Sequence, residues 1–194
     1  MSSIICRTTE FALSIAKQYI SEGDVLIDAT CGGGRDTLFL AKLSPSKLYA
    51  FDIQEEAVDK TRNLLSENGF SSQLHDGTID IICDSHINMS EYVNEPVSVI
   101  IFNLGYLPGG DRSITTCVSD TLKAVEEGAS LLKKDGLICI TMYPGHEEGR
   151  REKESLLSFA SELDPKKYHC AYIGMINQPK NPPEILLITQ RANS

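Results

Sequence analysis

The sequence has no tryptophan, no long apolar run and no closely paired cysteines, and each absence excludes a class of protein. No apolar stretch approaches the ~20 residues that a membrane-spanning helix requires. The N-terminal segment alternates polar and apolar residues, whereas a signal peptide has an unbroken apolar centre. We therefore predict a cytoplasmic protein with no membrane partner.

Six cysteines are scattered along the chain, and none of them forms a C-x-x-C pair. This spacing gives no support to a zinc ribbon or to a thioredoxin-like redox motif. The four histidines also lack the spacing of metal ligands. We therefore predict no metal site.

Basic residues are in the minority, and the formal net charge is −9. An acidic chain is a poor non-specific binder of nucleic acid, although basic residues in the second half leave room for a local basic face. The 194 residues and the 41% hydrophobic fraction suit one globular domain over residues 1–194.

Short β-rich runs alternate with amphipathic stretches along the chain. The predicted strands are Val25–Ala29, Lys47–Asp52, Ile79–Cys83, Val97–Asn103, Leu137–Met142, Tyr168–Ile176 and Glu184–Thr189. Alternation with helices predicts an α/β fold with a mostly parallel sheet, and the last two strands predict an antiparallel hairpin at one edge. Seven such strands form the outline of a Rossmann-like class I methyltransferase, although the pattern also fits other doubly wound folds.

The first predicted strand leads into a loop that contains Gly32, Gly33 and Gly34, flanked by Asp28 and Asp36. Glycines let a ligand approach the main chain closely. The third position of a dinucleotide G-x-G-x-x-G motif is not glycine here, and an acid before the loop would repel a pyrophosphate. The same acids suit an ammonium and a sulfonium group, so the loop favours S-adenosylmethionine over NAD.

Polar residues also follow the second and third predicted strands. Asp52 ends the second strand at the position where an acid binds ribose hydroxyls, and Gln54 follows it. Asp84, Ser85 and His86 follow the third strand, where polar groups meet the adenine and the ribose. Any one of these residues could instead cap a turn, but three polar strand ends together predict one donor site.

The fourth predicted strand ends in Asn103, which opens a Gly/Pro-rich loop that contains Tyr106. A methyl-accepting nitrogen needs a hydrogen-bond acceptor to orient its lone pair and an aromatic wall to exclude water. Asn103 and the carbonyl group of Leu104 offer the hydrogen-bond acceptor, and Tyr106 offers the aromatic wall. The alternative is that Asn103 caps a turn and Tyr106 only packs.

At this point the sequence resembles a known family. The segments DATCGGGRDTLFLA, FDIQ, DSH, IFNLGYLPGGDRSITT, YPGHEEGRREKE and NQPKNPPEILLI are similar to those of the small bacterial methyltransferases labelled rRNA methylases. The resemblance spans Val25 to Gln190. Family members are associated with methylation of 5-aminomethyl-2-thiouridine to 5-methylaminomethyl-2-thiouridine at the tRNA wobble position.

The resemblance implies roles for individual residues. It implies that S-adenosylmethionine is bound by Asp28, Gly32, Gly34, Asp36, Asp52, Gln54, Ser85 and His86. It implies that Asn103, Tyr106 and Asp111 meet the acceptor, with His146 nearby. It further implies a homodimer that recognises the tRNA anticodon arm. The chain departs from the family pattern at Gly33, where asparagine is usual, and at Pro144, where histidine is usual.

The predicted acceptor, a primary amine, is mostly protonated at neutral pH, so the site must favour its neutral form. Asp111 and His146 are the candidate proton acceptors. A nucleophilic Cys31 or Cys117 is the less favoured alternative because no base motif accompanies either residue. Two further alternatives are methylation of rRNA or of a small-molecule amine, and a non-catalytic binding protein with a methyltransferase fold.

Overall fold

The computed structural model describes residues 7–105 and 118–192, which form alternating strands and helices. The strands are β1 (Val25–Asp28), β2 (Lys47–Asp52), β3 (Ile79–Cys83), β4 (Val97–Leu104), β5 (Leu132–Met142), β6 (Tyr168–Ile173) and β7 (Glu184–Gln190). The helices are α1 (Thr8–Ala16), α2 (Arg35–Ala41), α3 (Glu55–Glu67), α4 (Ser71–His75), α5 (Met89–Tyr92), α6 (Val118–Leu131) and α7 (Glu147–Glu162). Short 3₁₀ turns cover Lys17–Tyr19 and His86–Asn88.

All seven strands belong to one sheet with the order β3-β2-β1-β4-β5-β7-β6. The first five strands pair in parallel, and β7 pairs antiparallel with both β5 and β6. This confirms the predicted class I methyltransferase sheet with a C-terminal antiparallel hairpin. The strand order reverses direction between β1 and β4, which is the point where open α/β sheets bind their ligands.

Alternate residues of the central strands face two separate cores. Ile27, Phe51 and Phe102 are buried on the face that α5, α6 and α7 cover. Leu26 and Leu48 are buried on the opposite face, beneath α1, α2 and α3. Helices on both faces explain why these parallel strands have near-continuous apolar sequences.

The structure differs from the sequence prediction mainly at the ends of elements. β5 begins at Leu132, five residues before the predicted start, and its pairing with β4 is irregular between Val97 and Val99. Asp135 accordingly adopts a φ of 61° inside this strand. β6 ends at Ile173, three residues before the predicted end.

Helix α1 was not predicted, and it packs on the sheet through Ala12 and Ala16. Small residues give it only a weak amphipathic pattern. Within residues 7–105 and 118–192, no helix is both long enough and apolar enough to cross a bilayer.

Candidate active site

A cavity of about 1030 Å³ opens at the carboxyl ends of the parallel strands. Ten of the residues predicted for the site line it. They are Gly32, Gly33, Asp36, Asp52, Gln54, Asp84, Ser85, His86, Asn103 and His146. Of the other predicted residues, Asp28 and Gly34 do not line the cavity, and Tyr106 and Asp111 fall outside the described residues.

Asp52 connects the loop after β1 to the loop after β2. Its Oδ2 accepts a hydrogen bond from the backbone N–H of Gly32 at 3.0 Å, and its Oδ1 accepts one from that of Gln54 at 3.0 Å. Each carboxylate oxygen has more than one lone pair, so both oxygens can accept further hydrogen bonds from a ligand. The geometry is therefore compatible with the predicted contact between Asp52 and ribose hydroxyls.

The glycine loop is held close to α3. Gly34 precedes α2 with a φ of 79°, and a Cβ there would lie 2.9 Å from the Cα of Thr61. Position 34 therefore requires glycine for packing and for backbone conformation. By contrast, a Cβ at Gly33 would meet nothing within 4 Å, which leaves this part of the loop open for a ligand.

Asp28 does not line the cavity, contrary to the sequence prediction that it contacts the donor. Its side chain is completely buried, Thr37 donates its hydroxyl hydrogen to Oδ2 at 2.6 Å, and the N–H of Thr30 donates to Oδ1 at 3.1 Å. Burial raises the pKa of Asp28 to about 7, and the charge of Asp36 adds to the rise. Asp28 thus stabilises the glycine loop by bonding Thr30 before it and Thr37 after it.

The loop after β3 places Asp84, Ser85 and His86 in the cavity wall. Asp84 accepts hydrogen bonds from Tyr92 Oη at 2.8 Å and from the N–H of Ser85 at 2.7 Å, and these bonds hold the pKa of this carboxyl below its usual range. His86 is almost completely buried, and its Nδ1 lies 3.0 Å from the carbonyl oxygen of Ala29. Burial lowers the pKa of His86, so the ring is neutral and its Nε2 can accept a hydrogen bond.

Asn103, at the end of β4, has its amide held on both sides. Nδ2 donates to Asp36 Oδ2 at 3.1 Å, and Oδ1 accepts from the hydroxyl group of Tyr143 at 2.7 Å. The N–H of Asn103 donates to Thr30 Oγ1 at 2.7 Å. Burial raises the pKa of Asp36, although the hydrogen bond from Asn103 opposes this rise.

His146 lines the cavity and caps the N-terminus of α7. Its Nδ1 accepts a hydrogen bond from the N–H of Gly149 at 3.0 Å, so a neutral ring carries its proton on Nε2. The same Nδ1 lies 3.4 Å from Glu148 Oε2.

Several lining residues were missed by the sequence analysis, notably Tyr143, Asp120, Lys60, Arg35 and Asn181. Tyr143 directly follows β5, so the rule that selected Asp52 and Asn103 at strand ends would also have selected it. Asp120 lies in the first turn of α6. No sequence signal places the first turn of that helix in the cavity wall.

The chemistry of the lining fits S-adenosylmethionine. The described lining residues include two basic side chains, Arg35 and Lys60, and four carboxyl groups, those of Asp36, Asp52, Asp84 and Asp120. An acidic wall suits a ligand that carries an ammonium and a sulfonium group. The volume of about 1030 Å³ is at the upper end of the range of about 300–1,000 Å³ for small-molecule and cofactor pockets, which is large enough for such a cofactor.

Cys31 also lies in the cavity wall, but it is not suited to nucleophilic catalysis. The side chain is buried, and burial together with the charge of Asp28 raises the pKa of its thiol. Because the thiolate is the nucleophilic form, Cys31 is unreactive here. Cys117 lies outside the described residues.

Comparison with known proteins connects this geometry to a family. Residues 48–189 match the profile of the family described as "Putative rRNA methylase". The tRNA (mnm(5)s(2)U34)-methyltransferase, chloroplastic, of Arabidopsis thaliana is 38% identical over 185 residues, which cover 91% of this chain and 67% of that protein.

Two solved structures have the same fold over nearly the whole chain. A protein from Clostridium thermocellum described as a putative rRNA-methylase is 37% identical, with a TM-score of 0.89 over 96% of this chain and 98% of that one. A protein from Streptococcus mutans described as a putative methyltransferase, solved in complex with S-adenosylhomocysteine (SAH), is 35% identical, with a TM-score of 0.84 over 96% and 99% of the two chains.

Proposed function

The chain belongs to the "Putative rRNA methylase" family of S-adenosylmethionine-dependent methyltransferases, and from this premise we propose that it methylates tRNA. The proposed reaction is N-methylation of 5-aminomethyl-2-thiouridine at the wobble position to 5-methylaminomethyl-2-thiouridine. The similarity over 91% of the chain to a protein named for this wobble nucleoside is the observation that carries the proposal.

The donor side of the proposed site consists of the glycine loop and the polar ends of β2 and β3. Asp52 and Gln54 would hold the ribose, and Ser85 and His86 would meet the adenosine. Gly32 and Gly33 would let the donor approach the main chain, and Asp36 would attract its positive charge. Bound S-adenosylmethionine supplies a methyl group that is already activated on a sulfonium.

The acceptor side is centred on Asn103. Its Oδ1 has a second lone pair beyond the bond from Tyr143 and can accept an N–H hydrogen of a neutral amine. Such a bond would orient the amine lone pair toward the methyl group, and orientation supplies most of the catalysis when the leaving group is already activated. Tyr106 and Asp111 are proposed to complete this side.

The amine must lose a proton before it attacks. The carboxylate of Asp36 lines the cavity and is hydrogen-bonded to Asn103. Its raised pKa makes it a stronger base than an ordinary aspartate. We therefore add Asp36 to Asp111 and His146 as a candidate proton acceptor.

We further propose a homodimer that binds the tRNA anticodon arm in the cytoplasm. The acidic chain makes broad phosphate contact unfavourable, so recognition would rely on a small area around the cavity. Arg35 is an exposed basic residue at the cavity wall and is suited to a phosphate contact there.

The test is nucleoside mass spectrometry of tRNA from cells that lack the terminal wobble methylation. Purified protein is incubated with this tRNA and with S-adenosylmethionine that carries a deuterated methyl group. We expect 5-aminomethyl-2-thiouridine to decrease as its deuteromethylated product appears. Transcribed tRNA without the aminomethyl group and the variant Asn103→Ala serve as controls: the transcript should yield no product, and the variant should form product at least about 100-fold more slowly than wild type.

If the tRNA stays unchanged while the protein binds SAH, the tRNA substrate is wrong and the methyltransferase assignment stands. rRNA and small amines would then be tested with the same labelled donor.

A further inference from the structure

Tyr143 has no role in the proposed reaction as described so far, although it touches the residue at the centre of the acceptor side. It directly follows β5, lines the cavity and donates its hydroxyl hydrogen to Asn103 Oδ1 at 2.7 Å. Its ring lies in the partly buried wall of the cavity. The hydroxyl group is therefore placed to act on Asn103.

The two ends of the Asn103 amide have chemically opposite partners. Asp36 offers a carboxylate oxygen to Nδ2, and Tyr143 offers an O–H hydrogen to Oδ1. A half-turn of the amide would set its oxygen against the carboxylate and would leave the carboxylate without its donor. The carboxylate of Asp36 therefore selects one orientation of the amide, the hydroxyl group of Tyr143 holds the oxygen in that orientation, and Oδ1 keeps a second lone pair for a ligand.

The ring of Tyr143 is itself fixed by close contacts on two sides. A Cβ at Gly105 would lie 3.3 Å from ring atoms Cδ2 and Cε2, so the ring packs against the backbone where β4 ends. A Cβ at Gly149 would lie 2.1 Å from the carbonyl oxygen of Tyr143, so the first turn of α7 presses on the same residue. Two glycines thus let neighbouring backbone hold Tyr143 in place.

We propose that Tyr143 is a positioning residue, which holds the Asn103 amide so that its carbonyl oxygen meets the methyl-accepting nitrogen. This inference rests on the proposed function, because it assigns Asn103 to the acceptor. Burial and the negative charge of Asp36 raise the pKa of Tyr143, so its hydroxyl group remains a donor at neutral pH. The hydrogen bond is in place before the acceptor arrives, which is the condition for preorganised catalysis.

The first test compares Tyr143→Phe with Tyr49→Phe. Both substitutions keep the ring and remove one hydroxyl group that is bonded to a side chain. Tyr49 is the matched control because it bonds Glu95 at 3.1 Å and does not line the cavity. We expect Tyr143→Phe to lower kcat about 10–100-fold, the order of loss that misplacement of a reacting group causes, with the dissociation constant of SAH within about 2-fold of wild type. Tyr49→Phe should leave both values unchanged.

A kcat for Tyr143→Phe equal to that of Tyr49→Phe would overturn the proposal. A loss in SAH affinity as large as the loss in kcat would also overturn the proposal, because the hydroxyl group would then serve the donor side of the site.

A double-mutant cycle tests whether Tyr143 acts through Asn103. In an Asn103→Ala background the hydroxyl group has no amide to hold, so Tyr143→Phe should cost nothing further in kcat. An undiminished loss in that background would mean that Tyr143 acts independently of Asn103, and the proposal would be wrong.

A measurement without substrate separates this inference from the proposed function. The side-chain amide signals of Asn103 in a ¹⁵N-labelled sample report its restraint directly. We expect Tyr143→Phe to shift these signals and to speed their exchange, and Tyr49→Phe to leave them unchanged. If wild-type protein does not methylate the tRNA, the proposed function fails, and unchanged Asn103 signals in Tyr143→Phe would separately overturn the positioning role.

Discussion

Replacing Asp28 with asparagine should stabilise the protein, and by more at alkaline than at acidic pH. Asp28 is completely buried beneath the glycine loop. Asparagine has nearly the same shape and keeps both hydrogen bonds: its Oδ1 can accept from the N–H of Thr30, and its Nδ2 can donate to the hydroxyl oxygen of Thr37. The substitution therefore removes a buried charge and keeps a hydrogen bond to each partner, with the Thr37 hydroxyl group turned from donor to acceptor.

The magnitude follows from the pKa of Asp28, which burial raises to about 7 from an ordinary value of 3.8. Between these values the folded state holds a proton that the unfolded state has released, so stability falls as pH rises through this range. A difference of about three pKa units corresponds to about 4 kcal/mol at about pH 8, and to about 2 kcal/mol at about pH 5.5. The gain from Asp28→Asn should therefore be about 2 kcal/mol larger at the higher pH.

The assay is urea denaturation followed by far-UV circular dichroism at both pH values. Asp24→Asn is a matched control with the opposite sign. Although burial works to raise the pKa of Asp24, its bond with Lys133 at 2.6 Å and its other hydrogen bonds hold that pKa below the usual value. Loss of this charge should destabilise the protein by about the same amount at both pH values, because both lie above the ordinary pKa of an aspartate and the charged form is present throughout.

An equal stability change for Asp28→Asn at both pH values would refute the reasoning, because it would mean that Asp28 titrates normally in the folded protein. A loss of stability at about pH 8 would refute it as well, since the buried charge would then be net favourable.

Three further predictions concern the cavity itself. Asp52→Ala should weaken SAH binding about 10–100-fold by calorimetry, since it removes a charged acceptor that also holds the loop; unchanged affinity would exclude the proposed ribose contact. Asn103→Ala should lower kcat at least about 100-fold with SAH binding retained; parallel losses of both would place Asn103 on the donor side. Gly149→Ala should lower the thermal midpoint by about 2–8 °C because its Cβ would meet the carbonyl oxygen of Tyr143, whereas Gly33→Ala, which meets nothing, should not change it.

The sheet was predictable because its signals are local. The apolar runs of β1, β2 and β4 predict a mostly parallel sheet, and the absence of a helix between the last two strands predicts the antiparallel hairpin; the strand order came only from the structure. Helix α1 gives no comparable signal, since its buried side chains are alanines and a threonine.

The placement of Asp52 and Asn103 around one cavity was predictable because each residue ends a parallel strand. A position at the end of a strand did not place Asp28 in the cavity wall. Its carboxylate is buried and bonded to Thr37, a contact that the sequence does not reveal. Asp120 was missed for the same reason, since α6 carries it to the cavity from a distant part of the chain.

The position of β7 inside the sheet has a consequence for biosynthesis. β7 is the last strand of the described chain, yet it lies between β5 and β6. During translation, at about 5–20 residues per second, some forty residues are synthesised between the end of β5 and the start of β7. Throughout that interval the apolar edge of β5 from Leu137 to Met142 lacks its partner strand. An unpaired edge of this kind is a template for association with other chains. The nascent protein should therefore need chaperone protection most in the interval between the emergence of β5 and that of β7.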